Sequence, residues 1–273
     1  MPELPEVETV KETLKTLIVG KTVEDVSIFL PRLIKEPEPE AFREMLKGRT
    51  VTGVGRRGKF LLIFFDPWVL VSHLRMEGRY SLELQDQPKE KHTHVIFGFT
   101  DGTELRYRDV RTFGTMHLWP KGEELDRPPL YKLGPEPLSD AFTLEQFTER
   151  LSGRKTRIKA LLLNQEFLTG LGNIYVDESL YTAGIHPERS VSTLTSTEVK
   201  RLYESIRSTL KEAIEAGGSS VRSYVNGNGE MGRFQLRIKV YGRKGEPCHC
   251  CGTPIVRTVV AGRGTHFCSK CQD

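Results

Sequence analysis

Near its end the chain reads Cys248-His249-Cys250-Cys251, then sixteen residues that include Ile255-Val256-Arg257-Thr258-Val259-Val260 and Ala261-Gly262-Arg263-Gly264-Thr265, then Cys268-Ser269-Lys270-Cys271. All five cysteines fall in the last 26 residues, and the first 247 residues have none. That clustering is not how a core uses cysteine. Cys248-x2-Cys251 and Cys268-x2-Cys271 have the spacing of a tetrahedral four-thiolate zinc site, in which each CxxC turn supplies two ligands to one closed structural ion. Paired knuckles in a reducing compartment favour zinc over disulfides. Cys250, His249 and His266 are rival ligands; the symmetric register of Cys248, Cys251, Cys268 and Cys271 fits best. Between the knuckles, β-branched residues, a glycine turn and a second extended run predict a hairpin from Ile255 to Cys268 with Arg263 at its tip. An arginine between glycines on a metal-braced hairpin suits a phosphate or a nucleic-acid groove; a solvated turn would carry the same residue.

Outward from the hairpin the charge is uneven. Residues 217–273 carry nine Lys or Arg against Glu230, Glu246 and Asp273, whereas the preceding 216 residues hold 31 basic and 33 acidic side chains. The overall +4 therefore contains a tail of +6, placed where a polyanion such as nucleic acid would bind. Gly217-Gly218-Ser219-Ser220 opens a glycine-rich stretch that runs to Gly232, and upstream of it helical periodicity covers Leu144–Leu151, Arg157–Leu163, Ile174–Ala183 and Ser196–Ala216. Proline and glycine cluster at 127–129 and 134–137, and before them the pattern changes to strands. Eight short runs, Thr22–Phe29, Thr50–Val54, Phe60–Phe65, Val69–Leu74, Tyr80–Leu84, His94–Phe99, Glu104–Tyr107 and Thr115–Leu118, predict a β-sandwich. A helix from Glu6 to Ile18, with Val7, Val10, Leu14 and Leu17 on one face, precedes them. No internal repeat is present.

Length and composition set the bounds. At 273 residues, 37% apolar and 28% charged, with a mean hydropathy of −0.38, the chain reads as a soluble globular protein of two modest domains or one large one. Its longest apolar run is Phe60–Phe65, far short of a membrane span of roughly 18 residues. The acidic, proline-containing start is unlike a signal segment, so the expected location is the cytosol, without a membrane partner.

Met1-Pro2-Glu3-Leu4-Pro5-Glu6-Val7-Glu8-Thr9, Arg56-Arg57-Gly58-Lys59-Phe60, Arg108-Asp109-Val110-Arg111-x-Phe113-Gly114, Leu171-Gly172-Asn173-Ile174-Tyr175 and Gly262-Arg263-Gly264-Thr265, in this order and with the cysteine knuckles behind them, make the chain resemble the formamidopyrimidine-DNA glycosylase family along its whole length. The resemblance implies an α+β multidomain fold. Residues 1–134 would form an N-terminal β-sandwich catalytic domain with flanking helices, 135–235 a helix-two-turns-helix DNA-binding domain, and 236–273 the zinc hairpin around one structural Zn2+. It implies a bacterial, cytoplasmic, monomeric enzyme of base excision repair that acts on damaged double-stranded DNA. Such an enzyme flips and excises oxidised purines such as 8-oxoguanine, then cuts the strand by β,δ-elimination.

The start of the chain supports that chemistry on its own terms. Once Met1 is removed, Pro2 presents a secondary amine, and an ordinary α-amino pKa near 8 leaves part of it neutral and nucleophilic. Attack at C1′ of a damaged nucleotide expels the base and leaves an iminium, an electron sink that acidifies the neighbouring sugar position. Without the resemblance, Pro2, Pro5, Glu3 and Glu6 read equally as a helix-entry signal that complements the helix dipole. By resemblance, Glu3 handles the proton for base departure and sugar opening, Glu6 shares its acidic pocket, Lys59 serves β-elimination and Arg263 δ-elimination. Asn173 would clamp a phosphate, or cap its helix.

A base inside a duplex must be flipped out before it can be excised, and the hole must be filled. Met76, Arg111 and Phe113 match the family's void-filling set, although Met76 and Phe113 also suit a core and Arg111 a surface ion pair. His92, Lys155 and Tyr241 match DNA contacts, and Ser219, Ser220, Arg222 and Tyr224 match the loop that closes over the flipped base. Thr112 and Asn164 depart from the family's usual basic and acidic residues at these places. Two other readings stand beside this one. An endonuclease VIII type would prefer oxidised pyrimidines but lacks the Leu4–Thr9 continuation found here, and a non-catalytic zinc-ribbon protein would only bind DNA.

Overall fold

The protein is seen here in a computed structural model that describes residues 1–219 and 232–273. It forms two compact units, one of residues 1–132 with 217–233, the other of 133–216 with 234–273. Among the described residues no helix is long and apolar enough to cross a membrane.

The first unit runs α1 (Leu4–Ile18), β1 (Val23–Ile28), β2 (Ile34–Glu36), α2 (Pro39–Leu46), β3 (Gly53–Arg57), β4 (Phe60–Phe65), β5 (Trp68–His73), β6 (Arg79–Leu84), β7 (Thr93–Phe99), β8 (Thr103–Arg108) and β9 (Thr115–Pro120). The strands make a four-stranded sheet in the order β1-β7-β8-β6 and a five-stranded sheet in the order β2-β9-β5-β4-β3. One core joins both sheets. Leu61, Ile63 and Phe65, at alternate positions of β4, share it with Val95, Phe97 and Phe99 of β7, as a period of two requires. Val7, Val10, Leu14 and Ile18 of α1 add a helical stripe, and Phe42 and Leu46 seat α2 on the same core.

The sequence pattern anticipates eight strands; among the described residues this unit has nine. The addition, β2, is only three residues long and pairs in parallel with β9, too short to show alternation. The helix α2 also escapes the pattern, because Pro39 opens it from a Pro/Glu-rich stretch and only Phe42 and Leu46 are fully buried. The strand expected at Thr50–Val54 begins later, at Gly53; Thr50 makes an isolated bridge to Thr22.

The second unit holds α3 (Leu144–Leu151), α4 (Ile158–Leu163), α5 (Asn173–Ala183), α6 (Ser196–Glu215), β10 (Val256–Val260) and β11 (Arg263–Phe267). Thr195 caps α6 in a reciprocal box with Glu198, and Gly184 ends α5 in the left-handed region at φ +70°. β10 and β11 pair from Val256–Phe267 to Val260–Arg263. Ala261 and Gly262, at φ +50° and +71°, therefore form the hairpin tip, and Arg263 is the first residue of β11 rather than the tip itself.

Phe42 is fully buried, with its ring 6.4 Å from that of Phe97. Phe42→Ala should therefore cost about 3–5 kcal/mol of unfolding free energy in urea titration. A loss under about 1 kcal/mol would show that the helix–sheet contact closes over the cavity.

Candidate functional site

In the first unit the start of α1 is built from buried polar groups. Pro2 is buried, and Glu3 and Glu6 are only 5% and 3% exposed. Glu3 is the N-cap: its side chain accepts from the Glu6 amide, and its own N–H donates to Glu6 Oε2 at 2.8 Å. Glu6 Oε1 accepts the Ser219 N–H at 2.6 Å. Gly218 lies against the same carboxylate. At φ +78°, a Cβ there would stand 2.9 Å from Glu6 Cγ and Oε1, so only glycine fits. Glu6 thus ties the N-terminal turn to the start of the glycine-rich stretch.

Lys59, 6% exposed, occupies the two-residue turn between β3 and β4, where Gly58 supplies φ +57°. Arg56 anchors that turn: Nη1 donates to Gly58 O at 2.9 Å, while Nε donates to Glu8 Oε2 of α1 at 2.7 Å. The arginine holds Glu8 below the usual carboxylate range, together with Lys11 and against the cost of burial. His73 ends β5 with its ring edge-on to Phe60, 4.5 Å between centroids, and its Nδ1 accepts the Arg75 N–H at 2.8 Å. Burial, with the charges of Arg75 and Lys59 adding to it, pulls the imidazole down to about 3. His73 is therefore a neutral packing group.

Met76 lies half-buried in the turn after β5. Arg111 and Phe113 share an exposed loop, the guanidinium 5.2 Å from the centroid of a ring that is 54% exposed, which excludes the reading of Phe113 as a core residue. Thr112 between them stands at φ +55°, and its hydroxyl accepts a hydrogen bond from Arg32. A guanidinium thus lies at the position where the sequence lacks a basic residue. His92 is joined to the same region, its carbonyl accepting the Asp109 N–H at 3.0 Å. Ser220, Arg222 and Tyr224 lie outside the described residues.

In the second unit Asn173 is the first residue of α5, with Gly172 at the cap position. Its Nδ2 donates to Gly264 O at 2.8 Å instead of capping the helix. Lys159 Nζ donates to the same carbonyl at 3.3 Å and to Asp177 Oδ1 at 2.6 Å, and Asp177 Oδ2 accepts the His266 N–H at 2.9 Å. Strand β11, which begins at Arg263, is thus pinned to α4 and α5 by a fully buried ion pair. Glu178 accepts the N–H groups of Lys239, Val240 and Tyr241 at 2.8, 2.9 and 2.9 Å. Burial pushes its carboxyl up, partly offset by those three donors. Tyr241 stacks edge-on to His266, 5.1 Å between centroids. Lys155 is exposed, and its carbonyl accepts from the Ser190 hydroxyl at 3.3 Å. Asn164 Oδ1 accepts the Glu166 N–H at 2.9 Å, a local turn that needs no negative charge.

Lys159, Asp177, Glu178, Arg56, Tyr107 and Asp109 are the residues that sequence reasoning gave no separate role. The first three carried a signal: each is a lone charge in an otherwise apolar helical face, costly to bury unless paired.

The four cysteine sulfurs Cys248, Cys251, Cys268 and Cys271 all lie within 4.8 Å of one another, with Cys248–Cys271 at 3.9 Å and Cys251–Cys268 at 3.5 Å. Four zinc–sulfur bonds of about 2.3 Å in a tetrahedron set sulfurs roughly 3.8 Å apart, so the thiols fit the ion. The Tyr181 hydroxyl is 3.2 Å from Cys248 Sγ, placed to donate to a thiolate. Cys250 and His249 are exposed, and His266 lies outside the cysteine cluster, its Nδ1 3.6 Å from Asp177 Oδ2.

A sandwich with a buried acidic N-terminus, a helical unit and a four-thiolate hairpin define a zinc-finger protein of the helix-two-turns-helix class. Family models described as the formamidopyrimidine-DNA glycosylase N-terminal domain, the H2TH domain of the same enzymes, and a zinc finger found in FPG and IleRS match residues 1–116, 133–225 and 245–273. Curated proteins named formamidopyrimidine-DNA glycosylase from Brevibacillus brevis and Geobacillus kaustophilus are 61% and 59% identical over 273 residues, spanning all of this chain and 99% and 100% of theirs. A Lactococcus lactis Fpg solved in complex with abasic-site DNA superimposes with a TM-score of 0.93 at 43% identity, over 99% of each chain. The chain belongs to the formamidopyrimidine-DNA glycosylase family.

Metal analysis should find one zinc in the Cys250→Ser protein and none in Cys251→Ser; the reverse pattern would reassign the ligands. The depressed His73 pKa has its own signature. Below about pH 6.5 the unfolded imidazole takes up a proton that the folded one refuses down to about pH 3, so stability falls with acid across that window. His73→Gln should flatten this part of the stability–pH curve, and an unchanged slope would show that His73 is protonated in the fold.

Proposed function

We propose that the protein is a bifunctional DNA glycosylase and abasic-site lyase that excises oxidised purines from duplex DNA, acting as a monomer through an N-terminal proline Schiff base. The observation that carries the reading is the buried start of α1, where Pro2 and Glu3 stand ahead of a carboxylate, Glu6, whose oxygens are both engaged by backbone amides. Burying two acids is expensive, and here backbone amides hold one of them in place beside Pro2. Solved complexes of L. lactis Fpg with abasic-site DNA and with Fapy-dG DNA support the substrate class.

In this mechanism the neutral Pro2 amine, freed by loss of Met1, forms a bond to C1′ as the bond from C1′ to the base nitrogen breaks, and the proton the amine gives up passes to the departing base. Glu3 supplies the proton that opens the sugar ring at O4′, and the nitrogen lone pair closes to the iminium. Loss of a C2′ proton then expels the 3′ phosphate, and a second elimination releases the 5′ phosphate. Lys59 is the proton carrier for the first elimination and Arg263 for the second, with Asn173 bracing the backbone beside Arg263. Met76, Arg111 and Phe113 fill the gap left by the flipped nucleotide, with Arg111 facing the orphaned base. His92, Lys155 and Tyr241 add contacts to the DNA, and the segment from Ser219 through Ser220, Arg222 and Tyr224 covers the extruded base. Zinc, when bound by the four cysteines, supplies only a rigid hairpin, since a closed thiolate shell leaves no position for a reacting water.

Borohydride added during turnover should link the DNA to Pro2, as peptide mapping will show; an adduct on Lys59 would overturn the assignment. Glu3→Gln should bind 8-oxoguanine duplex normally while losing about a hundredfold or more in excision. Arg263→Ala should retain zinc and lower the slope of log affinity against log salt by about one, because one phosphate contact is removed. An unchanged slope with normal strand cleavage would make Arg263 a solvated turn residue.

A further inference from the structure

Tyr107 and Asp109, near the end of β8, are fully buried polar side chains to which the mechanism above gives no task. Their surroundings are unusual. A Cβ built on Gly114 would stand 1.8 Å from the Tyr107 hydroxyl oxygen, and one built on Gly78 would stand 2.3 Å from it. The hydroxyl is therefore lodged between two backbones that only glycine allows to approach. Gly78 closes the turn that carries Met76, its N–H donating to Leu74 O at 2.9 Å. Gly114 closes the loop that carries Arg111 and Phe113. Asp109 holds that loop from inside: Oδ1 accepts the Arg111 N–H at 3.1 Å, and Oδ2 accepts the Gly114 N–H at 2.8 Å and faces the Tyr107 hydroxyl at 3.5 Å. The Asp109 carbonyl lies 2.9 Å from His94 Nε2. Behind Tyr107, the Tyr80 ring packs at 5.0 Å between centroids and its hydroxyl donates to Ser72 of β5 at 2.8 Å.

We infer that Tyr107 and Asp109 are positioning residues that lock the Met76 turn and the Arg111–Phe113 loop into one rigid wedge, so that the two insert into the duplex as a unit. The inference rests on the wedge reading given above. Prying a stacked step apart requires that the inserted groups not yield, and loops on separate supports would each give way under the load. A hydroxyl wedged between two glycines, beside a carboxylate that holds the ends of one loop, removes that freedom before DNA arrives. Their side-chain hydrogen bonds run to Arg111, Gly114 and each other, so a loss confined to the duplex substrate separates the effect from the chemistry.

The experiment compares two substrates in the full-length, zinc-loaded protein. One is an 8-oxoguanine duplex, which must be opened; the other is a single-stranded oligonucleotide with an abasic site, which needs no wedge. For Tyr107→Phe and for Asp109→Asn, borohydride trapping on the single strand should stay within about twofold of the parent, while duplex excision falls roughly ten- to a hundredfold. The trapping reaction also reports that the variant is folded. In the Phe113→Ala background, adding Tyr107→Phe should cost less than the product of the two single losses, because a wedge already blunted cannot be loosened again. Equal losses on both substrates, an unchanged duplex rate, or losses that simply multiply would each overturn the inference. A parent protein that traps neither substrate would overturn the function itself, and the inference with it.

Discussion

The carboxylate of Glu6 is the constraint on which the geometry of the first unit's N-terminal turn depends. With one oxygen it accepts the Glu3 N–H and with the other the N–H of Ser219, 213 positions away in the chain, from a side chain that is almost wholly buried. A carboxylate in that position is tolerable because a helix N-terminus presents unpaired N–H groups and a positive dipole end. Helix entry and the proposed proton handling are thus alternatives only on the level of sequence. In the fold, the same capping box that starts α1 fixes the backbone that carries Pro2 and the side chain of Glu3. Substituting Glu6 would release Gly218 and Ser219 as well, since Gly218 packs on the carboxylate with no space for a Cβ and Ser219 donates to it.

The second unit reaches a comparable rigidity by two means. Zinc ligation by the four cysteines folds a hairpin too small to hold a core of its own, since structural metal binding is coupled to local folding. A buried ion pair then fixes the base of that hairpin on helices α4 and α5. Lys159 and Asp177 are both fully buried, and the pair gains from two backbone partners, Gly264 O and the His266 N–H, which satisfy the remaining polar capacity. A desolvated pair is weak evidence for stability and better evidence for a specified geometry. Here the geometry specified is that of Gly264, one residue from Arg263, with Asn173 holding the same carbonyl from the helix start.

How much of this the sequence discloses follows the range of the interactions. Helices α3 to α6 are readable within a residue or two because their apolar periodicity is local, and the cysteine register is readable because ligand spacing is local too. The long strands follow from alternation or from an unbroken apolar run such as Phe60–Phe65. What escapes is what depends on distant partners. β2 exists because β9 offers it a parallel edge, α2 because Phe42 finds the sandwich core, and the task of Tyr107 because Gly78 and Gly114, 36 positions apart, both stand at its hydroxyl. Asn173 reads as a phosphate clamp or a helix cap, and in the fold its amide bonds to a residue 91 positions away. Even the place of Arg263 at the tip was a local reading, displaced by one register step once β10 and β11 pair.

Backbone strain offers an independent view of where the structure is committed. Among the described residues, four that are not glycine have positive φ: Arg75, His92, Thr112 and Ala261, between +50° and +70°. Each costs about 1–2 kcal/mol relative to an ordinary conformation, and nothing in the core requires them. Arg75 precedes Met76, Thr112 separates Arg111 from Phe113, His92 is itself one of the proposed contacts, and Ala261 forms the turn that leads into Arg263. Strain therefore collects at the loops assigned to DNA and is absent from the strands behind them. Phe113, left half in solvent, carries a similar cost, since an aromatic ring of that size normally finds cover. Loops that were free to relax would lose both the strain and the exposure. They keep them because Asp109, Arg32 and the paired strands hold the backbone from behind, so that, on the proposed wedge reading, the free energy of bending and exposing these residues is spent in folding and need not be supplied at the duplex.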